Sequence, residues 1–197
     1  VTSSDHDGGL TRRSLLGKAI GLGAAATLAV TTLSAAPAHA WTGPLQHPWD
    51  YCRWCAALVN TSWFNHGCPG DGQHWKIGWT FQLPYTESTI PTGTPNDQPD
   101  WRHCDGCLTL YFAGYNPAGV CRGKNGGPHT HNGLYGGKNY ILPHDLTNTA
   151  GTQPDWRFCT KCNVLFYDGS SFKGACAAGG GHTSQGFNFD IPVYTYY

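Results

Sequence analysis

Trp49-Asp-Tyr-Cys52-Arg-Trp-Cys55-Ala-Ala-Leu58-Val-Asn60, Trp101-Arg-His-Cys104-Asp-Gly-Cys107-Leu-Thr-Leu110-Tyr-Phe112 and Trp156-Arg-Phe-Cys159-Thr-Lys-Cys162-Asn-Val-Leu165-Phe-Tyr167 are three copies of one string. Each copy is followed by a third cysteine (Cys68, Cys121, Cys176) and then by a histidine (His74, His129, His182). The second and third cysteines are separated by 12, 13 and 13 residues, and the third cysteine and the histidine by 5, 7 and 5. All nine cysteines are used in this way. Three cysteines cannot be closed by disulfides inside one copy, whereas three thiolates and one imidazole fill the tetrahedral shell of a structural zinc ion. The spacing therefore predicts three Cys3His zinc sites. The first copy also carries His66, two residues before Cys68, and His131 stands two after His129, so each is an alternative ligand. Disulfides are the competing reading, being the commoner use of cysteine in secreted proteins. They would leave one thiol over and require bridges between copies. A redox Cys-x-x-Cys lacks its usual context, a strand leading into a helix.

The likeness extends beyond the ligands. Gln46, Gln98 and Gln153 each stand three residues before the tryptophan, and each copy closes on an aromatic, any residue, an aliphatic and a proline: Phe81 to Pro84, Tyr140 to Pro143 and Phe189 to Pro192. The tryptophans are 52 and 55 residues apart, a period at which sequence repetition means structural repetition. This divides the chain after residue 40 into repeats 41–97, 98–152 and 153–197. In the third repeat, Pro154 to Phe158 reads as a strand, Cys159 to Cys162 as a tight turn and Val164 to Tyr167 as the return strand. The third cysteine and the histidine fall on a glycine-rich loop, and a last short strand ends at the proline. Pro-Asp-Trp recurs at Asp100 and Asp155 in turn contexts. The expected fold is all-β: three zinc-stapled hairpin repeats packed as a pseudo-threefold, β-trefoil-like domain. The alternative is a string of zinc-ribbon beads. Units this small have thin cores and need staples. The recurrent tryptophans are expected to pack each unit's own mini-core.

Residues 1–40 read as an export signal. Arg12-Arg13 precedes an apolar run from Ala19 to Ala36, and Ala38-His39-Ala40 supplies small residues for cleavage near Trp41. An uncleaved anchor is the competing reading. The resemblance to a twin-arginine signal implies export of already folded protein, so zinc could be loaded before the thiols meet an oxidising exterior. Localisation is thus expected to be extracellular, without stable membrane insertion after cleavage. Beyond residue 40 there are nine Lys or Arg against ten Asp or Glu, which argues against a nucleic-acid partner despite the finger-like cysteines.

The combination Trp-Arg-x-Cys-x-x-Cys-x-x-Leu-x-Tyr, a glycine-rich stretch with Cys and His, then Tyr-x-Leu-Pro resembles a repeat of secreted actinobacterial and other microbial proteins. There it occurs in tandem or appended to secreted enzymes. The resemblance covers residues 46 to 192 and implies secretion and a repeat architecture. It implies no particular activity.

Three functional classes follow. A secreted binding module for carbohydrate or another cell-surface ligand would use aromatics that do not recur with the metal ligands: Trp63, Trp75, Trp79, Tyr115 and Tyr135, with Trp41, Tyr194, Tyr196 and Tyr197 as further candidates. Several weak sites on one chain would act by avidity. A structural or inhibitory interaction protein would use the same scaffold as a resistant surface. A hydrolase would need other residues, because a closed Cys3His shell has no open coordination position. Glu87 is the only glutamate, and no serine-hydrolase elbow, His-Glu-x-x-His or phosphate loop is present.

Overall fold

The computed structural model describes residues 44–62, 64–86, 96–131, 137–146 and 150–195. The expected export signal, Trp41, Trp63, Glu87, Tyr135, Tyr196 and Tyr197 lie outside the described residues. Among those described, no helix is long and apolar enough to cross a membrane.

The described chain is all-β. Its strands are β1 (Leu45–Cys52), β2 (Leu58–Val59), β3 (Lys76–Thr86), β4 (Asp97–His103), β5 (Leu110–Phe112), β6 (Asn139–Pro143), β7 (Thr152–Cys159), β8 (Leu165–Tyr167) and β9 (Ser184–Pro192). Each repeat contributes a triplet whose first strand lies in the middle: β2-β1-β3, β5-β4-β6 and β8-β7-β9. The first two triplets merge into a six-stranded sheet, ordered β2-β1-β3-β6-β4-β5, where Tyr85 pairs with Tyr140. A bridge between Val59 and Thr109 links its two edges, so this sheet nearly closes into a barrel. The third triplet is a separate three-stranded sheet. It joins the hairpins of the other two through Ala57–Phe166 and Tyr111–Val164, and their last strands through Phe81–Val193 and His144–Phe189.

The return strands show why the sequence reads Leu-x-aromatic. Alternate side chains of a strand face opposite sides. Leu58, Leu110 and Leu165 enter a cluster with Trp49, Trp101 and Trp156, while their neighbours Val59, Tyr111 and Phe166 enter a second cluster with all nine cysteines. Both clusters draw on every repeat, so the interior is shared and the repeats are not beads. The role expected of the tryptophans holds in part. Trp101 and Trp156 pack on Phe112 (5.5 Å) and Tyr167 (5.6 Å) of their own repeats, but all three are also buried against a neighbour's ring: Trp49 on Tyr140 (5.2 Å), Trp101 on Phe189 (5.1 Å) and Trp156 on Phe81 (5.2 Å). A hairpin of this size has too little apolar surface to enclose an indole by itself.

The Pro-Asp-Trp segments are bulges. The pairing register shifts between Gln98 and Trp101 and between Gln153 and Trp156. Asp100 and Asp155 are left-handed there (φ 70° and 68°), and their backbone amides donate to the Oδ1 atoms of Asn139 and Asn188 at 2.7 and 2.8 Å. Asparagine thus holds the extra residue that a bulge leaves unpaired.

Candidate metal centres

Each Cys-x-x-Cys caps a β-hairpin. The amides of Ala56, Leu108 and Asn163 donate back to the carbonyls of Cys52, Cys104 and Cys159 at 2.8, 2.9 and 2.8 Å. These three residues are left-handed, with φ of 53°, 60° and 63°. The curl turns both cysteines of a pair to one side, and the Gly106 amide lies 3.4 Å from Cys104 Sγ, stabilising negative sulfur. The loop that follows brings in the third cysteine and the histidine.

Three groups result: Cys52, Cys55, Cys68 and His74; Cys104, Cys107, Cys121 and His129; and Cys159, Cys162, Cys176 and His182. All twelve side chains are buried, and within each group the donor atoms lie within 4.8 Å of one another. The Sγ atoms of the first and third cysteines are 3.8, 3.6 and 4.0 Å apart. Those of the second cysteine are 3.6, 3.5 and 3.5 Å from the histidine Nδ1. A tetrahedral ion with metal–sulfur bonds of about 2.3 Å and a metal–nitrogen bond of about 2.0 Å sets edges of about 3.8 and 3.5 Å. A disulfide requires about 2.05 Å, and all nine cysteines are free. The donor sets fit three tetrahedral metal ions.

The alternative histidines fall away on geometry. His66 is exposed beside Phe64, and His131 Nδ1 bonds the Tyr111 hydroxyl at 2.6 Å. His129 and His182 are each stacked on the aromatic of a return strand, Tyr111 and Phe166, with centroids 4.7 Å apart.

The groups are joined in a ring. His74 Nε2 donates to the carbonyl oxygen of Cys107 (2.8 Å), His129 Nε2 to that of Cys162 (2.9 Å) and His182 Nε2 to that of Cys55 (2.9 Å). Every histidine therefore takes its tautomer from the ligand-bearing turn of the next repeat, which leaves Nδ1 free to coordinate. Backbone bonds repeat the cycle: Asn60, Phe112 and Tyr167 amides donate to the carbonyls of Leu108, Asn163 and Ala56.

Three glycines permit this approach. A Cβ on Gly67 would sit 2.5 Å from Cys107 Cα, one on Gly119 2.3 Å from the Cys162 carbonyl oxygen, and one on Gly174 2.3 Å from that of Cys55. All three have positive φ. Sequence reasoning credited the glycines around the ligands with curling each loop and missed these. Their signal is a glycine one or two residues before every third cysteine.

The electrostatics ask for a cation. Burial pushes the Cys55 and Cys107 thiols up, and the neighbouring sulfurs do the same to Cys162. Hydrogen bonds from the other sulfurs pull Cys52, Cys104 and Cys159 down. Burial opposes charge on each histidine, yet bonding to the facing thiolates outweighs it and raises all three to about 9. The cage is electron-rich, and a divalent ion would neutralise it where protons otherwise must.

Of the aromatics singled out for ligand binding, Trp75, Trp79 and Tyr115 are 59%, 57% and 58% exposed. They are not brought together. Trp79 and Tyr115 line two different grooves. Trp75 lies outside both, its carbonyl accepting from the Arg53 amide. Tyr194 is stacked on His47 at 4.1 Å. No family model, curated protein or solved structure matches the chain.

Proposed function

We propose that the three groups are structural zinc centres of a β-trefoil-like body, and that the protein is a secreted, non-catalytic binding module for carbohydrate. The observation carrying this reading is that all four donors of every group are buried and fill a tetrahedral shell. A shell of that kind leaves no position for substrate, so the metal holds the fold and does no chemistry. Three sulfurs and one nitrogen favour zinc over the hard, oxygen-seeking ions. The pseudo-threefold order is supported by the cyclic histidine-to-carbonyl bonds and the matching hairpin bridges.

Function is then left to the surface, where Trp54, Trp75, Trp79 and Tyr115 stand well exposed. Exposed aromatics on a rigid scaffold suit ligands with one apolar face and one polar edge, which describes sugars. Export by the twin-arginine route, with zinc already loaded, fits residues 1–40 and the free thiols.

The test uses zinc-loaded protein. Elemental analysis is expected to give three zinc per chain. Incubation with insoluble chitin, cellulose and peptidoglycan is expected to retain it on at least one. Retention on none of them, with capture of a protein partner instead, would replace this reading with an interaction protein.

A further inference from the structure

Two grooves on the surface of this molecule are counterparts of one another. The larger, of 310 Å³, lies between the first and third repeats and the smaller, of 120 Å³, between the third and second. Tyr51, Gly78, Trp79, Phe81, Gln153 and Tyr167 of the larger correspond, position by position in the repeat, to Phe158, Gly186, Phe187, Phe189, Gln98 and Phe112 of the smaller. We infer that both are pyranose-binding sites, the larger one dominant, in which a sugar ring lies on the Trp79 or Phe187 wall and hydrogen-bonds the Gln153 or Gln98 amide. This inference rests on the carbohydrate reading above and adds the place, the stoichiometry and the contacts.

Four observations converge on that ligand. Neither groove is lined by any charged side chain, which matches a neutral ligand and disfavours phosphate, carboxylate or amine. The floor is rigid: Phe81 packs edge-on against buried Trp156 at 5.2 Å, and Phe189 against Trp101 at 5.1 Å. The glutamine at the rim is oriented. Gln153 Oε1 accepts from Trp156 Nε1 and Gln98 Oε1 from Trp101 Nε1, both at 3.1 Å, which fixes each amide's orientation and leaves its N–H groups to donate. A flat apolar wall beside a fixed donor complements a pyranose, whose axial C–H groups form an apolar face and whose equatorial hydroxyls accept at the edge. Finally, 310 Å³ lies at the small end of ligand pockets, suiting one or two sugar rings.

The smaller groove is the weaker site for visible reasons. Tyr115 stands where the larger has Ser170 and packs against Phe158 at 5.7 Å, narrowing it. Phe187 is already stacked on His144 at 3.7 Å. At the third equivalent position the same parts are bound to other partners. Gln46 accepts from the Tyr140 hydroxyl, where the other repeats have phenylalanine, and Lys138, at the Trp79 position, lies 3.7 Å from the Tyr85 ring.

The experiment compares zinc-loaded wild type, Trp79→Ala, Gln153→Leu and the control Phe64→Ala, an exposed aromatic outside both grooves, on insoluble chitin, cellulose and peptidoglycan. Soluble oligosaccharides of the retained polymer are then titrated by tryptophan fluorescence. Zinc content and near-ultraviolet dichroism check that each variant is folded. Retention of wild type and Phe64→Ala, with at least tenfold weaker binding by Trp79→Ala and Gln153→Leu, is expected. If wild type is retained and Trp79→Ala binds equally well, the site is wrong while the carbohydrate reading stands. If folded wild type is retained on no polymer, both fall together.

Discussion

The metal-bearing end of this molecule and its grooved flanks have diverged to different degrees. The three metal groups are near copies, alike in sulfur spacing, histidine tautomer and partner carbonyl. The three flanks differ in size and polarity: Trp79, Lys138 and Phe187 occupy one repeat position. A donor in the metal ring serves its own ion and locks the neighbour, so a change there is felt twice. A groove side chain exposed to solvent holds no second donor set in place. The ring is therefore the part that holds the fold, and the flanks are where this scaffold can vary its ligand.

The comparison can be broken most decisively at the ring. Cys107→Ser removes a donor from the second group in the repeat whose Cys107 carbonyl orients His74. It is expected to cost several kcal/mol, a fraction of the roughly 10–16 kcal/mol with which a structural zinc is held. Native mass spectrometry should show fewer than two zinc ions on much of the protein. A clean population with two ions and an unchanged melting curve would mean that the groups are independent.

Glycines give the next largest effect. Gly119→Ala puts a methyl 2.3 Å from a carbonyl oxygen at φ 67°, whereas at Gly179, φ 95°, nothing lies within 4 Å. The first is expected to lose about 3 kcal/mol, from left-handed strain plus overpacking, and the second about 1 kcal/mol from strain alone. Equal losses in denaturant titrations would remove the close approach from the account.

The tryptophans sharpen the comparison further. Trp101 and Trp156 donate to glutamines, while Trp49 Nε1 has no partner because Gln46 accepts from Tyr140. Trp101→Phe should therefore cost about 1 kcal/mol more than Trp49→Phe, the value of one buried hydrogen bond. Smallest of all, His66→Ala should leave three zinc ions and the melting temperature unchanged, where His74→Ala does not. Zinc lost from the His66 variant would reopen the ligand assignment.

Much of the architecture was legible because chemistry restricts residue type. Only cysteine and histidine can supply those donors, so the ligands stood out, and the recurrence of Leu58, Leu110 and Leu165 after each Cys-x-x-Cys marked the copies. The choice of His129 over His131 was legible only through the repeat, because His-Thr recurs at His182-Thr183, and the donor geometry agrees. The grooves were half-visible. Trp79 and Tyr115 were marked as unexplained aromatics, yet nothing linked them to Gln153 and Gln98, which lie in other strands and other repeats.

The sequence by itself determined that the chain is built three times over from one β-hairpin unit with a Cys3His donor set, because ligand identity and strand periodicity are properties of side chains. Tertiary structure alone decided that each unit completes its neighbour. The partners in that exchange are the carbonyl oxygens of Cys55, Cys107 and Cys162, and every residue type carries a carbonyl, so their role leaves no mark in the order of amino acids.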